Sequence, residues 1–248
     1  MNNLFSLKKK NILVTGASSG IGKSVAINIA LQGAFVKILA RDSERLNSTL
    51  DSLLDNDNHV AISCDLSSKS DLDTLVDELE PLDGLVLNAG AVKLAPIAFI
   101  NDDTIDDLFE INIQSSIRLI QRLVKNRKIK KGASIVFISS IATKKATIGN
   151  AVYNATKGAV NSFVKSLALE LAKKKIRTNA ILPGFVPTNI MNNTGVTDAD
   201  LDTHLNNYPL GRFGKSEDIA FLVIYLLSNQ SDWMTGSLIN IYGGFSLK

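Results

Sequence analysis

Short apolar runs alternate with amphipathic stretches from one end of the chain to the other. The runs contain five to seven residues, many of them β-branched, which is typical of strands. Strands are predicted at 11–16, 34–40, 59–64, 84–88, 134–140, 177–182 and 237–242. Between them, apolar residues recur at helical spacing over 25–31, 46–54, 72–79, 105–124, 160–171 and 219–227. The pattern therefore predicts strands and helices in regular alternation.

This alternation determines the expected fold class. Strand–helix–strand units imply a parallel sheet with right-handed crossovers and with helices on both faces. We expect an α/β protein with a doubly wound, parallel, seven-stranded sheet, forming a single domain over 1–248. Ligands of such sheets bind at the carboxyl ends of the strands. Residues 184–215 lack strong periodicity, and loops of that length are usually functional, so we expect a mobile lid there.

The composition narrows the function classes. A formal charge of +3 and 6% aromatic residues do not indicate a nucleic-acid-binding surface. The chain has one cysteine, Cys64, and two distant histidines, His59 and His204, so neither an internal disulfide nor a metal site is expected. The longest apolar run, 219–227, is about half the ~20 residues that cross a bilayer. We expect a cytoplasmic protein without metal, nucleic acid or membrane contact.

The chain reads TGASSGIGKS where the first predicted strand ends. Gly16, Gly20 and Gly22 would let the backbone turn tightly, approach a pyrophosphate and begin a helix whose free N–H groups face the anion. The end of this stretch is also similar to a nucleoside-triphosphate P-loop, which requires a glycine at position 17. Because Ala17 stands there, the spacing favours a dinucleotide turn.

Polar or small residues follow the next three predicted strands. Arg41 would pair with a 2′-phosphate on the adenosine ribose, whereas an acidic residue would bind the free ribose hydroxyls. This favours NADP(H) over NAD(H), with Asp42 as ribose ligand the alternative. Asp65 would accept a hydrogen bond from the adenine amine or cap the following turn. Residues 88–90, Asn-Ala-Gly, are small enough to let the backbone pass close to a ligand.

Candidate acid–base chemistry follows the fifth predicted strand. Ser140 ends that strand, and Tyr153 and Lys157 lie four residues apart at the start of a helix, hence on one face. A tyrosine with a pKa near ~10 needs a neighbouring cation to act at neutral pH, and Lys157 is such a cation. The same pair is also typical of solvated helix surface. The pair therefore indicates a catalytic site only in combination with the glycine turn.

Together these motifs resemble the short-chain dehydrogenase/reductase family across nearly the whole chain. The matching stretches are TGASSGIG, CDL, LNAG, EINIQS, Ser140, YNATK, LPGFVPT and a C-terminal YGG. The resemblance is strongest to the subgroup that contains 3-oxoacyl-acyl-carrier-protein reductases and related sugar or polyol dehydrogenases. It implies a Rossmann-type sheet and an oxidoreductase that transfers a hydride between a nicotinamide and a carbonyl or secondary alcohol.

The resemblance also implies residue roles. Tyr153 would donate the proton in reduction, and Ser140 would hold the substrate carbonyl. Lys157 would bind the nicotinamide ribose and lower the pKa of Tyr153, and Asn112 would anchor a water in the proton relay. Motifs and resemblance together predict cofactor contacts from Gly16, Ser18, Ser19, Gly20, Ile21, Gly22, Arg41, Asp65, Leu66, Asn88, Ala89, Gly90, Tyr153, Lys157, Pro183, Gly184, Val186 and Thr188.

The expected activity is NADP(H)-dependent reduction of a 3-oxoacyl thioester on a carrier protein, as in fatty acid biosynthesis. Lys144 and Lys145 stand where that subgroup usually has small or apolar residues. With Asn150 they would suit a sugar, polyol or nucleotide-linked sugar, which is the alternative substrate. A cofactor-binding regulator without catalysis is the third hypothesis, disfavoured because Tyr153 and Lys157 are both present.

Partners are also implied. The resemblance predicts a homotetramer with two-fold axes. Two basic segments, 125–131 and 173–177, would attract an acidic carrier protein, or would simply stabilise the ends of the helices that precede them. Both would lie toward the end of the sheet opposite the cofactor turns.

Overall fold

Seven strands form one parallel sheet in the order β3-β2-β1-β4-β5-β6-β7. The computed structural model describes residues 4–188 and 198–247. The strands are β1 Asn11–Thr15, β2 Phe35–Ala40, β3 Val60–Ser63, β4 Leu82–Leu87, β5 Ile129–Ile138, β6 Arg177–Pro183 and β7 Leu238–Ile241. All six pairings between neighbouring strands are parallel. The predicted fold class is confirmed.

Helices cover both faces of the sheet. They are α1 Gly20–Leu31, α2 Ser43–Leu50, α3 Lys69–Glu78, α4 Asp102–Phe109, α5 Ser115–Lys125, α6 Ala151–Leu171, α7 Asp198–Leu205 and α8 Ser216–Leu227. One apolar core lies under α1, α2 and α8, and the other lies under α3, α5 and α6. Successive residues of β1 alternate between them: Leu13 belongs to one core, and Ile12 and Val14 belong to the other. A central strand is therefore apolar on both faces.

The strand order reverses beside β1, which lies between β2 and β4. Such a switch point leaves a crevice at the carboxyl ends of the strands, where ligands bind. Thr15 joins the two sides of this crevice, because its buried Oγ1 accepts hydrogen bonds from the backbone N–H groups of Asn88 and Ala89, both at 3.1 Å. The loops after β1 and β4 are thus held together.

The helix predicted over 105–124 is interrupted. A π-helical turn, Glu110–Gln114, separates α4 from α5. The apolar periodicity continues across this turn, so the sequence pattern did not reveal it. π-Turns of this kind are frequent at functional sites, and this one contains Asn112.

Two other boundaries differ from the prediction. β5 begins at Ile129, five residues before the predicted start, because an exposed polar stretch at 130–132 precedes its apolar part. That stretch is anchored by Lys130, whose ammonium lies 2.7 Å from the Asp83 carboxylate. α2 ends at Leu50 rather than at 54.

The predicted lid over 184–215 lies partly outside the described residues, which omit 189–197. Within the described part, α7 is followed by Tyr208, which is 4% exposed and accepts a hydrogen bond from the Phe185 N–H at 2.9 Å. None of the helices in the described ranges is long and apolar enough to cross a membrane.

Candidate active site

A cavity of about 1080 Å³ lies at the carboxyl ends of the strands. Its wall includes the predicted residues Gly16, Ser18, Ser19, Gly20, Ile21, Arg41, Asp65, Leu66, Asn88, Ala89, Gly90, Ser140, Tyr153, Lys157, Pro183, Gly184, Val186 and Thr188. Two predicted site residues, Gly22 and Asn112, are not part of this wall. The strand-end residues therefore converge on one cavity, and their contacts with a cofactor stay predictions.

The glycine turn is shaped by close backbone approach. Gly16 has φ +65°, and a Cβ there would lie 2.8 Å from the Cα of Ala89. A Cβ on Gly22 would lie 2.2 Å from the carbonyl oxygen of Gly16 and 2.5 Å from Asn88 Nδ2. Gly22 thus lets the start of α1 pack against the turn, and its contact with a cofactor stays a prediction.

Asn88, which follows the neighbouring strand β4, fixes this turn. Its Nδ2 donates to the carbonyl oxygens of Gly16 and Thr15, at 3.0 and 3.2 Å. The sequence motif had indicated only that 88–90 are small. In the structure, the hydrogen bonds of the Asn88 side chain connect the ends of β1 and β4.

The start of α1 faces the cavity. Ser18, Ser19, Gly20 and Ile21 line the wall, and the first turn of this 12-residue helix contains no acidic residue. The unpaired N–H groups and the positive end of the helix dipole favour an anion at such a position. Together with the space left by Gly16 and Gly22, this end of the cavity fits a dinucleotide pyrophosphate.

Asp42, which follows Arg41 after the end of β2, is bonded to a neighbouring residue of the chain. Asp42 caps α2: its Oδ1 accepts from the Arg45 N–H at 2.9 Å, and its Oδ2 lies 2.5 Å from Arg45 Nε. These bonds from Arg45 lower the pKa of Asp42. The carboxylate is thus already engaged within α2, which weakens the alternative that Asp42 binds a ribose.

Arg45 is a cavity residue that the sequence reasoning missed. It lines the wall together with Arg41. Its position in the first turn of α2, shortly after the strand end that carries Arg41, was the available signal. Arg41 and Arg45, whose Nε contacts Asp42, thus both line the cavity beside the end of β2, where a ribose phosphate of a dinucleotide would lie.

Asp65 also lines the cavity, but it caps the turn that follows β3. Its Oδ1 accepts hydrogen bonds from the N–H and the hydroxyl of Ser67, at 2.9 and 2.8 Å. The turn-capping alternative is therefore present in the structure. Contact between Asp65 and an adenine amine stays a prediction.

Ser140, Tyr153 and Lys157 share one region of the wall. The Ser140 side chain hydrogen-bonds to Tyr153, and its Oγ also accepts from the N–H of Ala142 at 3.1 Å. Lys157 donates from Nζ to the carbonyl oxygen of Ile138 at 3.0 Å, and its Nζ lies 5.9 Å from the centre of the Tyr153 ring. Two hydroxyls and an ammonium thus meet at the end of β5.

Burial shifts the pKa values of Tyr153 and Lys157 in opposite directions. Desolvation raises the pKa of Tyr153, and the hydrogen bond with Ser140 opposes that rise. The expected lowering of the Tyr153 pKa by Lys157 is therefore not the dominant effect in this site. Desolvation also lowers the pKa of Lys157 to about 8, so the amine is still mostly protonated at neutral pH.

Asn112 lies directly behind the wall. Its Oδ1 accepts from the N–H of Ala91 at 2.8 Å, and its Nδ2 donates to the carbonyl oxygen of Ala91 and to Thr156 Oγ1, both at 3.0 Å. The amide thus joins the loop after β4 to α6. The water-anchoring role implied by resemblance stays a prediction.

Known proteins are similar to this chain in sequence and in architecture. A family model described as enoyl-(acyl carrier protein) reductase matches residues 16–246. The chain belongs to the short-chain dehydrogenase/reductase family. It is therefore an oxidoreductase of the dehydrogenase/reductase type.

Two relatives of this chain are named for different substrates. The chain is 31% identical over 241 residues to the 3-oxoacyl-[acyl-carrier-protein] reductase FabG of Rickettsia prowazekii, covering 97% of this chain and 98% of that protein. It is 33% identical over 242 residues to the L-xylulose reductase of Mesocricetus auratus, covering 96% and 97%. The Pseudomonas aeruginosa RhlG/NADP active-site complex matches with a TM-score of 0.91 and 32% identity, covering 99% of each chain.

The dehydrogenase/reductase cavity continues past Tyr153 into a mainly apolar region. Its side chains there are Val92, Leu94, Ile141, Ala142, Ile148, Phe185, Leu201 and Phe245, with the polar Lys145, Thr147, Asn150, His204 and Tyr208 among them. Lys145 and Asn150 were expected on this side, whereas Lys144 is exposed and not part of the wall. The aromatic residues and His204 had no signal in the sequence, because they come from distant segments.

The same region holds no candidate metal site. Within 4–188 and 198–247, no three His, Cys, Asp or Glu side chains are grouped so that they could hold a metal ion. His204 instead packs against aromatic rings, including Phe213, which stacks on it at 5.9 Å between ring centres.

Proposed function

We propose that this oxidoreductase is an NADP(H)-dependent carbonyl reductase whose substrates are 3-oxoacyl thioesters. One observation carries the proposal: Ser140, Tyr153 and Lys157 lie in the wall of the same cavity as the glycine turn. The cavity thus combines an anion-binding turn, two hydroxyl groups beside an ammonium, and an apolar region. Each part matches one requirement of the reaction.

The cofactor would be held by the first of these parts. The turn from Gly16 to Ile21 would bind the pyrophosphate, and Arg41 with Arg45 would bind the 2′-phosphate that distinguishes NADP(H) from NAD(H). Val186 and Thr188 would contact the nicotinamide side. When bound, NADPH supplies the hydride that adds to the carbonyl carbon.

The chain's own residues would stabilise and protonate the carbonyl oxygen. Negative charge develops on that oxygen, and hydroxyl groups already aimed at it stabilise the charge without reorganisation. Tyr153 would donate its phenolic proton to the oxygen, with Ser140 as the second hydrogen-bond donor. Protonated Lys157 would stabilise the phenolate that remains. Asn112 would hold the loop and helix in register.

The apolar region favours an acyl chain as the rest of the substrate. Aliphatic and aromatic side chains dominate it, and a sugar there would leave hydroxyl groups without partners at a cost of about 1–3 kcal/mol each. The relative named as a 3-oxoacyl-[acyl-carrier-protein] reductase is consistent with this substrate class.

A sugar or polyol substrate remains the second candidate, because Lys145 and Asn150 line the cavity and a relative is named L-xylulose reductase. Both side chains have local partners. Asn150 Nδ2 donates to Thr147 Oγ1 at 2.5 Å, and Lys145 Nζ donates to the carbonyl oxygen of Phe245 at 3.0 Å. We therefore place the acyl substrate first.

The two basic segments, 125–131 and 173–177, give little support to docking of a carrier protein. Lys128 donates from Nζ to the carbonyl oxygens of Asp77 and Leu79, at 3.0 and 2.7 Å, and Arg177 is buried against α8. The exposed Lys131 and Lys174 lie where β5 and β6 begin, opposite the cavity. A carrier bound there would serve the cavity of a second subunit in the proposed cytoplasmic homotetramer.

The test is a screen of NADPH oxidation with 3-oxoacyl thioesters, keto-sugars and simple ketones. We expect the thioesters to give the highest kcat/KM. Tyr153→Phe should lower kcat by at least ~10²-fold on every substrate while the Kd for NADPH changes little. Preference for keto-sugars would move the second candidate to first place, and normal turnover of the Phe variant would reject Tyr153 as proton donor.

A further inference from the structure

Phe245, close to the end of the described chain, forms part of the cavity wall. Phe245 is 5% exposed and lines the apolar region. Its ring stacks on Tyr208 with 5.0 Å between centres and an interplanar angle of 23°. The edge of His204 lies against the same ring, 5.1 Å away. The C-terminal segment is thus packed into the apolar region.

Two glycines direct the chain back to this position. After β7, Gly243 and Gly244 have φ values of +58° and +84°. A Cβ on Gly244 would lie 2.8 Å from Cγ of Pro209. The YGG motif therefore makes a tight reversal that only glycine accommodates without strain, and the reversal delivers Phe245 to the cavity.

Lys145 holds Phe245 in two ways. Its Nζ donates to the Phe245 carbonyl oxygen at 3.0 Å and lies 4.4 Å from the centre of the ring. A cation over an aromatic face is attracted by the ring quadrupole, and more so where water is partly excluded. One side chain therefore fixes both the backbone and the ring of Phe245.

The lysine belongs to the loop that begins at Ser140. Ile141, the next residue, is 5% exposed and lies in one apolar cluster with Phe245 and Tyr208. The proposed carbonyl-binding residue and the C-terminal ring are therefore joined by a short stretch of loop and by direct packing. A substrate whose carbonyl met Ser140 would extend toward this ring.

We propose that Phe245 is a specificity-determining residue that limits the bulk of the substrate chain, and that Lys145 is the positioning residue that keeps its ring in the wall. The inference rests on the proposed carbonyl reduction. It gives Lys145 a role different from the one expected for a sugar substrate, because the ammonium contacts the protein's own C-terminal segment. A packed wall excludes added methylene groups, because extra atoms in a packed region force side chains out of their preferred rotamers.

The experiment compares ethyl 3-oxobutanoate with ethyl 3-oxooctanoate as probes in the presence of NADPH. Phe245→Ala should raise the ratio of kcat/KM for the long ester to that for the short ester by at least ~10-fold, within the range that pocket contacts confer. The KM for NADPH should stay within about twofold, since Phe245 packs in the apolar cluster with Ile141 and Tyr208 and not at the glycine turn. Phe245→Leu should shift the ratio in the same direction by less, and serves if the Ala variant is unstable.

The lysine is tested with matched variants. Lys145→Met keeps the aliphatic stem but removes the cation, so the ratio should rise in the same direction as in the Phe245 variants. Lys145→Arg keeps a cation that can lie over the ring, so its ratio should stay closer to the wild-type value than that of Lys145→Met. Lys144→Met, at the exposed neighbouring position, is the control and should leave it unchanged.

An unchanged ratio in every Phe245 variant would overturn the proposal. An unchanged ratio in Lys145→Met would reject the lysine as a positioning residue. Failure of carbonyl reduction itself is recognised separately, by wild-type turnover of the short ester equal to that of Tyr153→Phe.

Discussion

Asn112 and Thr156 are joined by a hydrogen bond of 3.0 Å from Nδ2 to Oγ1, and both side chains are almost fully buried. The Thr156 hydroxyl donates in turn to the carbonyl oxygen of Tyr153 at 2.7 Å. The π-helical turn is thereby connected to the backbone of Tyr153. The chain offers no such link through adjacent sequence, since the two residues are 44 positions apart.

Replacing Thr156 by valine keeps its shape and removes this connection. Asn112 Nδ2 would lose an acceptor in a buried site, at a cost of about 1–3 kcal/mol in the free energy of unfolding. We expect Thr156→Val to lower Tm and to lower kcat by about 10-fold, and Thr156→Ser to retain both, as measured by thermal unfolding and steady-state kinetics. Equal behaviour of the two variants would show that the hydroxyl is not required.

Cofactor preference should change when the charge at the end of β2 is reversed. Ala40→Asp combined with Arg41→Ser places a carboxylate where we propose the 2′-phosphate binds. The ratio of kcat/KM for NADPH to that for NADH should fall by at least about 10-fold, because a charged hydrogen bond of about 1.5–3 kcal/mol is lost and repulsion is added.

Arg45 should contribute to the same preference. Arg45→Gln is expected to lower the NADPH/NADH ratio by about 3–10-fold, while NADH kinetics remain close to those of the unmodified enzyme. Lys69→Gln, at an exposed position in α3, is the control. A ratio unchanged in both the Arg41 and the Arg45 variants would place the 2′-phosphate elsewhere or remove the NADP(H) proposal.

The glycine turn makes a steric prediction. Gly22→Ala introduces a Cβ 2.2 Å from the carbonyl oxygen of Gly16, so the backbone itself would have to shift. We expect a loss of roughly 3 kcal/mol or more in the free energy of unfolding, or failure to fold, since this clash exceeds ordinary overpacking. Chemical denaturation and NADPH titration would measure the effect.

Gly158→Ala is the matched control for that substitution. Gly158 lies within α6, and apart from its chain neighbours and the adjacent helix backbone no atom lies within 4 Å of an added Cβ. Alanine should stabilise the helix by about 0.5–1 kcal/mol. Similar losses in the two variants would mean that steric closeness at Gly22 is not the cause.

The pH dependence of stability should report the buried lysine. The pKa of Lys157 is about 8 in the folded protein and near 10.5 in a free lysine. The unfolded state therefore binds more protons between these values, so the free energy of unfolding rises with pH across that window and the penalty is fully present below pH 8. At about 1.4 kcal/mol for each pKa unit, the penalty is about 3 kcal/mol.

Lys157→Met should remove that dependence in the cofactor-free protein. At pH 7 the variant should be more stable by about 1–3 kcal/mol, after allowance for the lost hydrogen bond to Ile138, and the difference should shrink as the pH rises toward 10. Lys165→Met, exposed on the same helix, is the control and should show no such trend. A difference that is constant with pH would contradict the low pKa. The readout is denaturant unfolding at several pH values.

Properties that depend on neighbouring positions along the chain were predicted well. Strands and helices follow from periodicity, because burial of one face imposes a period of two or about 3.6 residues on a contiguous segment. Gly16 and Gly22 were identified because turn geometry restricts residue type locally. Tyr153 and Lys157 were paired because helix geometry alone brings positions four apart onto one face.

Contacts between distant segments depended on how the segments pack. Phe245 and Lys145 are 100 residues apart, and only the closing of β7 against β6 brings them together. Asn112 falls within the helix predicted over 105–124, whereas the structure places it in the π-turn. Its amide there bonds to Ala91 and Thr156 and so joins two distant segments. The physical reason is that periodicity encodes which face of an element is buried, whereas the identity of the atoms it meets is settled when the sheet and its two layers of helices assemble.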